Sequence, residues 1–135
     1  MSEIAILGAG MMGSALCWPL TDNGHSVRLV GTHLDGDIIS RCKKDHYHPT
    51  LNRTLPDTVR PYHLEQIDQA VERAQTIVCG VNSLGIRWIA STLRPLVRAG
   101  QRVSCVVLTS RKPAEIPLKE LRMAERQAGF LLSDM

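Results

Sequence analysis

The tightest constraint on this chain's fold is the run Ile4-Ala5-Ile6-Leu7, which breaks directly into Gly8-Ala9-Gly10-Met11-Met12-Gly13. A continuous apolar run suits a parallel strand buried on both faces, and a strand that turns at once into a helix needs residues without a Cβ at the bend. Gly8 would make the tight turn, Gly10 would let a pyrophosphate come up against the backbone, and Gly13 would let the new helix lie close to the strand. Amide N–H groups at that helix start, at the positive end of its dipole, would hold phosphate charge without help from a charged side chain. A glycine hexapeptide of this kind also occurs as a purely structural turn, so the flanks decide its meaning.

The flanks supply a strand, a helix and a second strand. Met12, Ala15, Leu16, Pro19 and Leu20 make an apolar stripe at helical spacing, stopped by Asn23-Gly24. Pro19 cannot donate an intrahelical hydrogen bond, which predicts a kink between Ala15 and Pro19. Ser26 to Val30 reads as the second strand, parallel to the first because a helix joins them. In NAD-binding domains a carboxylate about 20 residues beyond the glycines holds the ribose 2′-hydroxyl. Here that place reads Gly31-Thr32-His33, so a 2′-phosphate would meet no repulsion, and Thr32, His33 and nearby Arg41 could donate to it. Asp35 keeps the other possibility open, and the expected cofactor is NADP or NAD.

Asp35 to Lys44 predicts a short helix, followed by an irregular stretch from Asp45 to Pro56 that would pack over the cofactor. His46-x-His48 could chelate, but no third and fourth ligand can be placed, so no metal is expected. Val59 to Tyr62 is strand-like, and Pro61 assigns it to a sheet edge. Leu64, Ile67, Val71 and Ala74 mark an amphipathic helix, and Thr76 to Val81 a central strand running into Asn82-Ser83. Val81, Asn82 and Ser83 would sit beside the nicotinamide half, or Ser83 would merely cap the next helix. That helix spans Leu84 to Val97 with Gly100 behind it, and Val103 to Leu108 is a fifth strand. The expected fold is α/β, a doubly wound parallel sheet in the order 3-2-1-4-5. A dinucleotide-binding domain would occupy 1–110, and a tail over 111–135 would carry one short helix from Pro117 to Ala128.

With 135 residues, a net charge of +3, scattered basic residues and three phenylalanine or tyrosine rings, nothing forms a nucleic-acid track. No apolar stretch reaches membrane-spanning length and no leader precedes the first strand, so a cytoplasmic location is expected. Cys17, Cys42, Cys79 and Cys105 contain no Cys-x-x-Cys pair and read as buried thiols rather than a metal or redox site.

From about Ile4 to Leu108 the chain resembles the amino-terminal domain of the NAD(P)-dependent glycerol-3-phosphate dehydrogenase family. The resemblance rests on Gly8 to Leu16, on Leu29-Val30-Gly31-Thr32-His33, on Tyr47 leading to Leu55-Pro56, and on Val81-Asn82-Ser83 with Arg87 downstream. It departs at Asn82, where the family has proline, and in a slightly longer Tyr47 to Pro56 loop. The resemblance implies dinucleotide contacts from Met11, Met12, His33 and Tyr47. It also implies hydride exchange between NAD(P)H and dihydroxyacetone phosphate, and a role in supplying glycerol phosphate for phospholipid biosynthesis. The candidate cofactor site is therefore Gly8, Gly10, Met11, Met12, Gly13, Thr32, His33, Tyr47, Val81, Asn82 and Ser83.

In that family the fifth strand runs into a Lys-Gly pair whose lysine serves the active site, followed by a helical substrate domain. Here the aligned pair is Ser110-Arg111, with Lys112 out of register. The expectation is a copy truncated or frame-shifted after about residue 108, without catalytic residues or a substrate domain, and inactive alone. A second copy or a partner would cover the face so left. A ketopantoate-reductase-like dehydrogenase fragment and a non-catalytic NAD(P)H-binding module are the alternatives.

Overall fold

The computed structural model describes residues 2–81 and 85–105. In chain order the elements are β1 (Glu3–Leu7), α1 (Met11–Ala15), α2 (Cys17–Asp22), β2 (Ser26–Val30) and α3 (Gly36–Asp45). There follow β3 (Tyr47–His48), β4 (Arg53–Thr54), β5 (Arg60–Tyr62), a 3-10 turn (Leu64–Gln66) and α4 (Ile67–Glu72). Then come β6 (Thr76–Cys79), α5 (Ile86–Leu93) and β7 (Arg102–Cys105). Five strands form one parallel sheet in the order β5-β2-β1-β6-β7, while β3 and β4 make a separate antiparallel hairpin. In the main sheet this is the expected 3-2-1-4-5 arrangement. β1 lies at its centre, with Leu7 level with Val30 on one side and Cys79 on the other.

Both faces of the sheet are covered, which is why β1 reads as an unbroken apolar run. Successive side chains alternate: Ile4 and Ile6 pack with Cys17, Val27, Leu29, Ile39 and Cys42 under α2 and α3. Ala5 and Leu7 pack with Val71, Ile77, Ile89 and Leu93 under α4 and α5. Pro61 lies on β5, at the sheet margin, where its missing N–H costs no ladder bond.

Local departures from the expected elements have physical causes. The helix after the glycines divides at Leu16, between the predicted limits of the kink, since Pro19 has no N–H for the Ala15 carbonyl. Of the predicted stripe, Leu16 and Leu20 pack against the core and Met12 is half-buried, but Ala15 and Pro19 are exposed, and the fully buried positions are Gly13, Ser14 and Cys17. The stretch expected to be irregular holds the β3–β4 hairpin, turned through Asn52 at φ 53. The fourth helix begins as a 3-10 turn, and α5 stops at Leu93 because Pro95 cannot continue the ladder. Asn82, Ser83, the remainder of the fifth strand and the Pro117 to Ala128 helix lie outside the described residues.

Candidate functional site

The carboxyl end of β1 turns at Gly8, whose φ of +112 a side-chain-bearing residue rarely adopts. Its amide donates to the Val30 carbonyl at 2.8 Å, joining the tips of β1 and β2. A Cβ on Gly13 would collide with the Gly8 carbonyl oxygen, so the third glycine is what lets α1 start against the strand end. Gly10 is different: a Cβ there would meet nothing within 4 Å. The space in front of it is open, and α1 begins immediately beyond with no acidic residue in its first turn. Met11 stands 63% exposed at that helix start, and Met12 is half-buried.

Between the first two glycines, Ala9 has both of its backbone groups held by side chains from later in the sequence. Its N–H donates to Asp35 Oδ2 at 3.0 Å, and its carbonyl lies 2.8 Å from His48 Nε2. The Leu51 amide donates to His48 Nδ1 at 3.1 Å, which makes Nδ1 the bare nitrogen and Nε2 the protonated one. Nε2–H therefore points between the Ala9 carbonyl and the Ser14 hydroxyl oxygen, also at 2.8 Å. His48 and Ser14 are fully buried.

Of the two possibilities left open at the tip of β2, the structure brings a carboxylate there, that of Asp35. Its Oδ2 accepts the Thr32 amide at 2.9 Å and the Thr32 hydroxyl at 3.0 Å, besides the Ala9 amide. The Thr32 hydroxyl proton is thus committed to Asp35 rather than available to a phosphate. Arg41 is likewise engaged: its Nε contacts both Asp45 carboxylate oxygens at 3.0 Å, and its guanidinium lies 4.7 Å over the Tyr47 ring. His33 is exposed and meets Trp88 of α5 edge-on, ring centroids 5.2 Å apart. Val81 is buried at the end of the segment following β6.

The structure therefore gathers Gly8, Gly10, Met11, Met12 and Gly13 into one loop at the β1 tip, with Thr32 tied to it through Asp35. It places Tyr47 on the α3 side, packed with Arg41, while His48 beside it reaches the loop. In His46-Tyr47-His48 the two imidazoles serve separate bonds, His46 Nε2 lying 3.1 Å from the Val59 carbonyl. Among the described residues no group of three or more His, Cys, Asp or Glu could hold a metal, and no helix is long and apolar enough to cross a membrane. Burial pushes the Cys17 thiol up to about 12, with Cys42 adding to it, and pushes Cys42 up to about 11, with Asp45 adding.

Residues 3–109 match the family model of the NAD-dependent glycerol-3-phosphate dehydrogenase N-terminus. The chain belongs to this family. Over 95 residues it is 37% identical to the NADP(+)-dependent glycerol-3-phosphate dehydrogenase of Archaeoglobus fulgidus, covering 70% of this chain and 28% of that enzyme. Over 113 residues it is 34% identical to the glycerol-3-phosphate dehydrogenase [NAD(P)+] of Shouchella clausii, covering 82% of this chain and 31% of that one. Aligned regions thus span less than a third of these relatives' length. The crystal structure of glycerol-3-phosphate dehydrogenase from Coxiella burnetii superposes with a TM-score of 0.77 at 22% identity, over 97% of this chain and 38% of that one.

Within this glycerol-3-phosphate dehydrogenase N-terminal domain, the Gly-rich run marked the loop, but the groups that brace it were missed. Asp35 had a signal: Thr32-His33-Leu34-Asp35 is the Ser/Thr-x-x-Asp/Glu pattern of a helix start. His48 could be read only as half of a His-x-His pair, because the loop groups it bonds, Ala9 and Ser14, lie 39 and 34 positions earlier in the chain. Gly80 and Trp88 were also missed; each becomes meaningful only against a neighbour brought close by folding.

Proposed function

We propose that this chain is the dinucleotide-binding part of a glycerol-3-phosphate dehydrogenase, taking NAD or NADP at the glycine loop. The observation that carries the reading is the contrast among the three glycines. Cβ positions at Gly8 and Gly13 are filled by protein, whereas the one at Gly10 faces open space of the kind a pyrophosphate needs. Gly8, Gly10 and Gly13 would shape the cradle, and Met11 and Met12 would offer amides at the helix start. Thr32, His33, Tyr47 and Val81 would border the cofactor, together with Asn82 and Ser83. Once bound, the dinucleotide would supply the hydride for reduction of dihydroxyacetone phosphate.

What the chain's own residues do is bind and orient. Family resemblance places the active-site lysine where this chain has Ser110-Arg111, so polarisation of a substrate carbonyl is assigned to no residue here. In this reading 1–110 is the binding domain and 111–135 a tail outside the family pattern. Working in the cytoplasm, the protein would bind the dinucleotide at this loop, with a second copy or a partner packing against the binding domain. Titrating the 135-residue chain with NADH and with NADPH, followed by nucleotide fluorescence, tests the reading. Saturable binding of at least one is expected; binding of neither would overturn it.

A further inference from the structure

We propose that His48, with Asp35, is a positioning residue that holds the glycine loop in its binding shape before any dinucleotide arrives. This rests on the dinucleotide-binding reading above and adds a role for two residues that no glycine motif contains. Ala9 sits between the turn glycine and the open glycine, so its peptide groups set the direction in which the following amides point. Both of its backbone groups are held from outside the loop, by Asp35 Oδ2 at 3.0 Å and by His48 Nε2 at 2.8 Å.

His48 is the more telling of the pair. A fully buried imidazole is costly unless its nitrogens are bonded, and a leucine at this place would fill a core with no such penalty. The polar ring is accounted for by what it bonds: the Leu51 amide on Nδ1, and on Nε2 the Ala9 carbonyl and the Ser14 hydroxyl. Ser14 belongs to α1, so one ring grips the loop on the near side of Gly10 and the helix on the far side. Its own backbone lies in β3, part of a two-stranded hairpin that does not join the main sheet. The hairpin thereby acts on the loop through a side chain. A loop already ordered loses less conformational freedom on binding, and that saving appears as affinity.

Three variants of the 135-residue chain test this: His48→Asn, His48→Gln and His48→Leu, each measured for NADPH and NADH affinity and for its urea midpoint. Asparagine can still accept the Leu51 amide but is too short to reach Ala9, whereas the glutamine amide can reach the Ala9 carbonyl. The dissociation constant should rise about tenfold in His48→Asn and return to within about threefold of wild type in His48→Gln. Should His48→Leu fail to fold, the Asn and Gln pair still decides the matter. Nitrogen NMR of the ligand-free chain should show His48 as the neutral tautomer protonated at Nε2; protonation at Nδ1 alone would overturn the bonding scheme. Wild-type affinity in a folded His48→Asn, or affinity that merely tracks the urea midpoint across the variants, would also overturn the proposal. If the wild type itself bound neither nucleotide, the dinucleotide reading would fall first, an outcome distinct from unaltered affinity in the variants.

Discussion

A Cβ placed on Gly80 would stand 2.9 Å from the Cα of Gly13, so the end of β6 and the first turn of α1 touch backbone to backbone. The same segment supports the turn, since the Gly80 carbonyl oxygen would lie 2.7 Å from a Cβ on Gly8. Neither neighbour is a flexible side chain that could swing aside. Gly80→Ala should therefore push α1 off the strand tips and lower unfolding stability by about 1–3 kcal/mol, the usual range for overpacking. Urea denaturation of the ligand-free chain measures this, and an unchanged midpoint would mean the two elements can separate freely.

Asp35 brings a negative charge to the tip of β2, where the ribose end of a dinucleotide lies in doubly wound sheets. A 2′-phosphate approaching that tip meets repulsion that a 2′-hydroxyl does not. Asp35→Ala should weaken both nucleotides by loosening Ala9, yet raise the affinity for NADPH relative to NADH by about tenfold at low salt. The ratio isolates the charge, because loosening of the loop is common to both ligands. A ratio that stays level or falls would place the 2′ position away from Asp35.

Cys17 and Cys42 make stability sensitive to alkaline pH. Each thiol has an ordinary value of 9.0, raised by burial to about 12 and about 11 in the folded chain. An unfolded chain loses these protons from about pH 9 upward while the folded chain keeps them. The stabilising contribution is thus intact below pH 9 and is lost as the pH rises toward the folded values. The slope is about 1.4 kcal/mol per pH unit for each thiol. Urea midpoints taken from about pH 8 to about pH 10.5 should fall more steeply for wild type than for Cys17→Ala. Parallel slopes would show that Cys17 ionises as easily folded as unfolded.

Much of the sheet was legible because its causes are local. An unbroken apolar run identifies a strand covered on both faces, Pro61 identifies an edge, and a missing N–H at Pro19 identifies a divided helix. The bracing of the loop was not legible, since it depends on contacts between residues 26 and 39 positions apart in the chain. His48 could be read as a loop residue, and Asp35 as merely near the strand tip, until folding carried both to Ala9. On α1 and α2 the stripe holds at Leu16 and Leu20 but fails at Ala15 and Pro19 for a related reason. Hydrophobicity favoured Ala15 and Pro19, but the close approach allowed by Gly13 turns Ser14 and Cys17 toward the sheet instead.

Gly10→Val separates binding from folding at one position, because its added side chain meets no protein atom within 4 Å of the Cβ site. Thermal unfolding and calorimetric titration with NADH and NADPH should be run on this variant beside the wild-type chain. Wild type should bind at least one nucleotide, and Gly10→Val should melt within a few degrees of it while losing at least about tenfold in affinity. A valine variant that melts alike and binds alike would contradict a pyrophosphate held against the backbone of Gly8 to Gly13.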